Sequence, residues 1–389
     1  MEPLTDRDIS QFDIEDRGYV QDIYGVFAEM NRRSPVTRAQ THGGHWVVTG
    51  YNAVREAATD WRTFTSEQGV MHPQAGVPDT PPITTDPPLQ QLYRKLILPY
   101  FTPTAVSRLE PATRAHAHAI IDGFIGAGRA DLSHDYAEVL IPLVFFSDVV
   151  HLPDDLLPEF MDKTVGTGAT PHEHSMVLAE LAGRFVDARY DLPPLGDVMD
   201  ALMNGSLDGA PLTREQVRKV ATILLIGGTD TTRNVITTGL WYLAEHPDVR
   251  QKVIEQPELM PNLVEELLRL YGSVQLIGRT VTRETMVGGH RMCPGEKVVM
   301  AIAAAGRDPA EFPEPGRFDM HRRANRHIAF GVGVHRCLGS NLARMEIRVA
   351  LEAILGRIPD YRIADGERYV RRVGHVHGPE TVRVAFTAR

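Results

Sequence analysis

The chain has 389 residues, 43% hydrophobic and 23% charged, with a formal net charge of −9. That balance belongs to a globular protein with one large core or two ordinary ones, and it argues against wholesale binding to nucleic acid or anionic membrane. Its two cysteines, Cys293 and Cys337, exclude a disulfide framework and a cysteine-rich zinc site, and point to a reducing, cytoplasmic setting.

Met1 to Ser10 is charged and polar, with no apolar signal core. The longest apolar run, Val139 to Phe146, contains Pro142 and falls far short of the ~20 residues that a spanning helix needs. No membrane anchor is expected. Residues 11–40 carry helical spacing as far as Ser34-Pro35, His45 to Tyr51 reads as a short strand and turn, and Ala53 to Ala58 as a helix. Gly69 to Thr85, holding Pro73, Pro78, Pro81 and Pro82 without periodicity, is predicted to be a long irregular loop, a feature that is usually functional or disordered.

Asp86-Pro87-Pro88 has the acid and prolines of a helix start, with the acid as cap. Gln90 and Arg94, four apart, share one face of the helix that follows. Residues 104–190 read as three or four amphipathic helices, broken at Gly126-Ala127-Gly128 and Leu152-Pro153. The stretch Gly166 to His174 interrupts them, and His172 and His174 are read as solvated rather than metal-bound.

Thr213-Arg214-Glu215-Gln216 is a capping-box pattern that opens a helix of about 30 residues, ~45 Å long, ending at His246-Pro247. Gly227-Gly228-Thr229-Asp230-Thr231-Thr232 is costly in its middle. Each glycine loses about 1 kcal/mol there, and the threonine hydroxyls compete with the backbone ladder. A helix that opens a groove over a flat ligand, and presents an acid and an alcohol to it, gains from both features. Further on, Glu266 and Arg269 have ion-pair spacing, Val274 to Ile277 is strand-like, and Arg279 follows. Short strands are expected over 280–305, with turns at Gly288-Gly289 and Cys293-Pro294-Gly295, and a hairpin over Arg371 to Val384.

The most specific stretch is Phe330-Gly331-Val332-Gly333-Val334-His335-Arg336-Cys337-Leu338-Gly339. Its cysteine stands at the start of a long helical pattern, where unpaired N–H groups and the helix dipole lower a thiol's pKa and suit it to bind a metal as thiolate. Its glycines let backbone pass close to a bulky flat group.

This string resembles the haem-ligand loop of the cytochrome P450 superfamily, Phe-Gly-x-Gly-x-His-x-Cys-x-Gly. The other motifs occur in that family's order over nearly the whole chain, and look closest to the soluble bacterial, camphor-hydroxylase-like members. The resemblance implies a mainly α fold with small β-sheets and a long central helix over a buried haem. It implies one domain over 1–389, with a β-containing part at about 35–85 and a helical haem-binding part at about 86–389. Cys337 would be the axial thiolate of haem b, with Phe330, Gly331, His335 and Gly339 in its loop. Gln90, Arg94 and Arg279 would face the propionates, and Gly227 the haem groove. Asp230 and Thr231 match the family's acid–alcohol pair for proton delivery to bound oxygen. Glu266 and Arg269 match its structural Glu-x-x-Arg.

The substrate pocket would draw on Ile223, Ile226, Val274, Leu276 and Val376, together with the irregular segments 69–85, 163–182 and 375–378. Ser273 stands where the family commonly has proline, and Gly306 where it usually has asparagine. The activity implied is a monooxygenase acting on an apolar terpenoid, steroid or polyketide-like molecule, using O2. No flavin or dinucleotide fingerprint is present, so a ferredoxin and its reductase would supply electrons, docking near Arg94, Arg336 and Arg344. The alternatives are a peroxide-driven peroxygenase and a non-enzymatic haem sensor or carrier.

Overall fold

The longest helix, Arg214–Glu245, has 32 residues and so runs ~48 Å. The computed structural model describes residues 9–73, 79–164 and 171–388, with 171–174 as backbone only. Residues 74–78 of the irregular loop, the stretch 165–170 and the side chains of His172 and His174 lie outside the described residues. Thr213 and Gln216 cap each other reciprocally at the start of the long helix. Every residue from Thr232 to Leu243 is buried, so this half of the helix is core on all sides. It packs against the helices Pro171–Tyr190, Glu138–Val144 and Ser340–Arg357.

Helices dominate and the sheets are small, as the family resemblance implies. The main sheet joins β1 (Val36–Ala39), β2 (His45–Val48), β3 (Phe64–Thr65), β4 (Leu276–Val281) and β5 (Lys297–Ala301) in the order β1-β2-β5-β4-β3. β2 and β5 run parallel, His45 opposite Lys297, whereas β5 and β4 are antiparallel, Val299 opposite Gly278. The expected β-containing part at about 35–85 therefore supplies only three of the five strands. The other two fall where Val274 to Ile277 reads as strand-like and short strands are expected over 280–305, within the part otherwise expected to be helical.

Within the expected hairpin over Arg371 to Val384 only the isolated bridge of Arg371 with Pro379 forms among the described residues; Val376 bridges to Val274 instead, and Arg383–Ala385 joins a separate small sheet. Pro379 lacks the N–H that would extend a ladder. Among the described residues, no helix is long and apolar enough to cross a membrane.

Glu266 and Arg269 are fully buried on the helix Met260–Tyr271 and pair at 2.6 and 2.8 Å. Arg269 also donates to the carbonyls of Gly306, Pro315 and Arg317. A Cβ on Gly306 would overlap the Arg269 carbonyl oxygen, which explains glycine at that position. Asp86 does not cap the helix Leu89–Ile97. Its carboxylate accepts from Thr65 Oγ1 and from the Ser66 N–H instead, because Pro87 and Pro88 hold it outside the first turn.

Candidate active site

A cavity of about 280 Å3 lies between the middle of the central helix and the loop that carries Cys337. At ~100° per residue, Ile223, Gly227 and Thr231 form one stripe of that helix, flanked by Leu224, Gly228, Thr232 and Val235; all seven line the cavity. Ile226 falls on the opposite flank and packs into the cluster around Phe185 and Leu225. It does not belong to the pocket. The helix continues unbroken through Gly227-Gly228. Gly228 has a packing reason: a Cβ there would stand 2.5 Å from the Phe145 ring. Thr231 Oγ1 donates to the Gly227 carbonyl at 3.1 Å, so its lone pairs remain open to an acceptor role at the cavity wall.

Asp230 is adjacent in sequence but is not among the residues that line the cavity. Its carboxylate meets Arg233 Nη2 at 3.2 Å and its side chain is 32% exposed. Arg233 also reaches the buried Glu138, which is held in turn by Arg372 and His134.

On the opposite wall, Gly331 and Gly333 adopt left-handed φ of +67° and +77°, and a Cβ at Gly333 would press on the Ala58 carbonyl at 2.9 Å. The Cys337 N–H donates to the Phe330 carbonyl at 2.7 Å and closes the loop. Cys337 is solvent-accessible only in the sense that it faces the cavity it lines. Burial pushes its thiol above the ordinary value, against the Gly339 N–H and the charges of Arg94, Arg336 and Arg344. The expectation that the helix start alone lowers this pKa is therefore not met, since burial outweighs it. Coordination to a cation removes the proton outright.

His335 lines the cavity with its Nε2 3.1 Å from Ser66 Oγ, and burial lowers its pKa despite Asp86 nearby. Arg94 also lines the cavity, and burial lowers its pKa. Arg279 is 4% exposed, with one hydrogen bond, Nη1 to the Gly278 carbonyl, and burial pulls its pKa down to about 10. The buried Arg279 and the half-buried Arg94 have no carboxylate in contact among the described residues, an arrangement that favours an anion between them. A flat group with two carboxylates and a thiolate-binding iron suits that arrangement.

Gln90 is placed differently. It is buried, off the cavity wall, and its Nε2 donates to the Val334 carbonyl at 2.6 Å. It braces the cysteine loop instead of facing the cavity. Leu276 and Val376 also miss the wall. Leu276 packs into the cluster of Phe12 and Ile23, and Val376 pairs with Val274 through backbone. Val274 lines the cavity, and Ile277 takes the place expected for Leu276.

The family model for cytochrome P450 matches residues 145–358. A steroid C26-monooxygenase from Mycolicibacterium smegmatis is 31% identical over 92% of this chain and 91% of its own length. The monooxygenase PikC of Streptomyces venezuelae is 32% identical over 88% and 85%. The crystal structure of CYP101C1 superimposes with a TM-score of 0.88 at 26% identity, covering 97% of both chains.

The chain belongs to the cytochrome P450 family. It is a P450 monooxygenase, and the family and fold imply haem b held by a cysteine thiolate. The residues present fit that group: Cys337 would hold the iron, Arg94 on the wall and the buried Arg279, which is off the wall, would face the propionates, and Gly331 and Gly339 would allow close approach.

The wall also holds residues that the motifs do not announce, Phe145, Ile277 and Glu346 among them. Glu346, on the helix Ser340–Arg357, is fully buried, lines the cavity and bonds to Thr232; burial raises its pKa well above the carboxylate range. Its Oε1 has no partner among the described residues. The signal available was a glutamate four residues after Leu342, inside the helix's buried stripe.

Proposed function

We propose that this P450 inserts one atom of O2 into a small, mainly apolar molecule, with electrons delivered by a ferredoxin and its reductase. The observation that carries the reading is the cavity, bounded by Cys337 on one side and the Thr231 hydroxyl on the other, with aliphatic and aromatic walls. The steroid C26-monooxygenase and the methyl-branched lipid omega-hydroxylase among its relatives accord with a hydrocarbon-rich substrate.

When bound through Cys337, haem supplies the oxygen chemistry; the residues orient, shield and move protons. Ile223, Phe145, Val274 and Ile277 exclude water and hold the substrate by apolar contact. The partly exposed Asp230, tied to Arg233, is the proton carrier between solvent and the wall. Thr231, whose hydroxyl donates to the Gly227 carbonyl, keeps its Oγ1 lone pairs available to accept a hydrogen bond from the group that receives the proton. Arg94 and Arg279 would neutralise the carboxylates of the bound cofactor.

Of the three arginines expected at the electron-donor surface, only Arg336 is exposed. Arg344 forms a fork with Glu265 at 2.5 and 2.9 Å, so it is engaged internally, and Arg94 turns to the cavity. We place the docking contact at Arg336, treat 1–389 as one domain, and assign the protein to the cytoplasm on its two unpaired cysteines.

The test is turnover of a panel of terpenoid and steroid ketones with NAD(P)H, ferredoxin and reductase. Peroxide alone sustaining the same rate would sink the reading. Thr231→Ala is expected to keep O2 consumption while product per O2 falls several-fold; unchanged coupling removes the hydroxyl from this role.

A further inference from the structure

We propose that Ser273 determines specificity, donating a hydrogen bond to a ketone, ether or hydroxyl oxygen on an otherwise apolar substrate skeleton. This rests on reading the cavity as the substrate site. Seven side chains on its wall can form hydrogen bonds: Arg94, Thr231, Thr232, Ser273, His335, Cys337 and Glu346. Six of them have tasks already. Cys337, Arg94 and His335 belong to the cofactor side, Thr231 is bonded to the Gly227 carbonyl, and Thr232 to Glu346. Ser273 is the hydroxyl beside Val274 and Ile277 on a wall of hydrocarbon, whereas Glu346, whose Oε1 has no partner among the described residues, stands on the helix behind Cys337.

Its hydroxyl is loosely held. Ser273 Oγ lies 3.3 Å from the His377 carbonyl and 3.4 Å from Asn234 Nδ2. Both exceed the preferred lengths of ~2.8 Å for O–H···O and ~2.9 Å for N–H···O. The Asn234 amide occupies one lone pair, and the proton rests on a long bond to a backbone oxygen. A hydroxyl hydrogen rotates freely to a better acceptor.

The frame behind it is firm by contrast. His377 N–H donates to the Ser273 carbonyl at 2.8 Å, and Gln275 N–H to the His375 carbonyl at 2.8 Å. Gly378 permits the tight fit, because a Cβ there would overlap the Asn234 side chain. Asn234 and His377 are 3% and 2% exposed. Burying a serine and an asparagine behind a substrate wall is unfavourable unless their bonds are used. A weakly bonded donor on a firm backbone, in a residue that lines a mainly apolar cavity, favours ligands that bring an acceptor and disfavours those that cannot. Because Ser273 and Thr231 stand on different walls, an oxygen anchored at Ser273 also fixes which carbon faces the reacting side.

The experiment compares two cage ligands of nearly equal shape, adamantane and 2-adamantanone, binding to the haem-loaded protein. Affinity is read both by calorimetry and by the haem spin-state shift. Ser273→Ala is expected to weaken 2-adamantanone about 5- to 10-fold while adamantane stays within about 2-fold, and Ser273→Thr, which keeps the hydroxyl, to retain most of the ketone affinity. An equal change for both ligands, or none for the ketone, overturns the proposal. Failure of the cavity reading shows separately. In that case neither ligand shifts the spin state of the unaltered protein, and the Ser273 proposal falls with it.

Discussion

Replacing Arg269 with methionine tests what the Glu266–Arg269 pair contributes, because methionine fills much of the volume without the charge. Arg269 makes five hydrogen bonds: two to Glu266 and three to the carbonyls of Gly306, Pro315 and Arg317. After substitution, Arg317 O still has Arg322 Nη2 at 3.2 Å, but nothing replaces the donor at Gly306 and Pro315. Glu266 keeps Arg322 at 3.3 Å, the Asp319 N–H and Asn325 Nδ2, so its charge is partly met. Breaking a fully buried pair by removing one partner costs about 3–5 kcal/mol, and Arg322 places this case near the lower figure. Against a total of about 5–15 kcal/mol, the variant is expected to lose a large share of its stability.

The measurement is urea unfolding, followed by circular dichroism and haem absorbance at fixed haem loading, since ligand binding itself shifts stability. The double variant with Glu266→Gln removes the stranded anion. It is expected to be less destabilised than the sum of the two single changes by about 1 kcal/mol or more. A single variant within about 1 kcal/mol of the parent would refute the structural role given to the pair.

Gly228→Ala forces a methyl against the Phe145 ring, and an overpacking loss of about 1–3 kcal/mol is expected. Phe145→Leu in the same chain should restore part of that loss in thermal melts, and no rescue would refute the contact. Arg279→Gln leaves the cofactor carboxylate without its buried cation, so haem transfer to apomyoglobin should quicken several-fold; an unchanged rate argues against the assignment. Burial lowers His45 and His72 to about 4 and His377 to about 3, and the rings of His45 and His72 are 4.6 Å apart. The unfolded chain then binds more protons below pH ~6.5, so stability should fall as pH drops from ~6.5 towards 4. His72→Gln should flatten that slope, and a parent curve flat between pH 6.5 and 5 contradicts it.

The motifs that were legible share one property: their backbone conformation or spacing is dictated locally. The Cys337 loop needs glycine at two left-handed positions, the central helix announces itself by a reciprocal cap, and Glu266 and Arg269 meet simply by being three apart. Asp86 was misjudged because the competing partners, Thr65 and Ser66, lie about twenty residues away on a strand edge. Its local sequence satisfies a capping rule, but the fold offers that carboxylate a buried hydroxyl and a backbone N–H instead. Gln90 is the same kind of case, its amide taken by a loop 244 residues further on.

The pocket residues were missed for a different reason, which is parity. In β4, neighbouring side chains point to opposite faces, so Leu276 joins the core beside Phe12 while Ile277 reaches the cavity wall. Both are aliphatic, and nothing in the six-residue run marks which face is inner, since both faces of the strand are buried. The central helix poses the same question at another period. Ile226 and Ile223 are chemically alike, and only the direction in which the helix presents Gly227 and Thr231 separates them. Once Thr231 is fixed on the wall, its stripe at i−4 and i−8 selects Gly227 and Ile223 and rejects Ile226. A polar anchor of known orientation therefore assigns the aliphatic residues around it. The same reasoning singles out Ser273, a hydroxyl on a wall where the flanking residues carry no direction of their own.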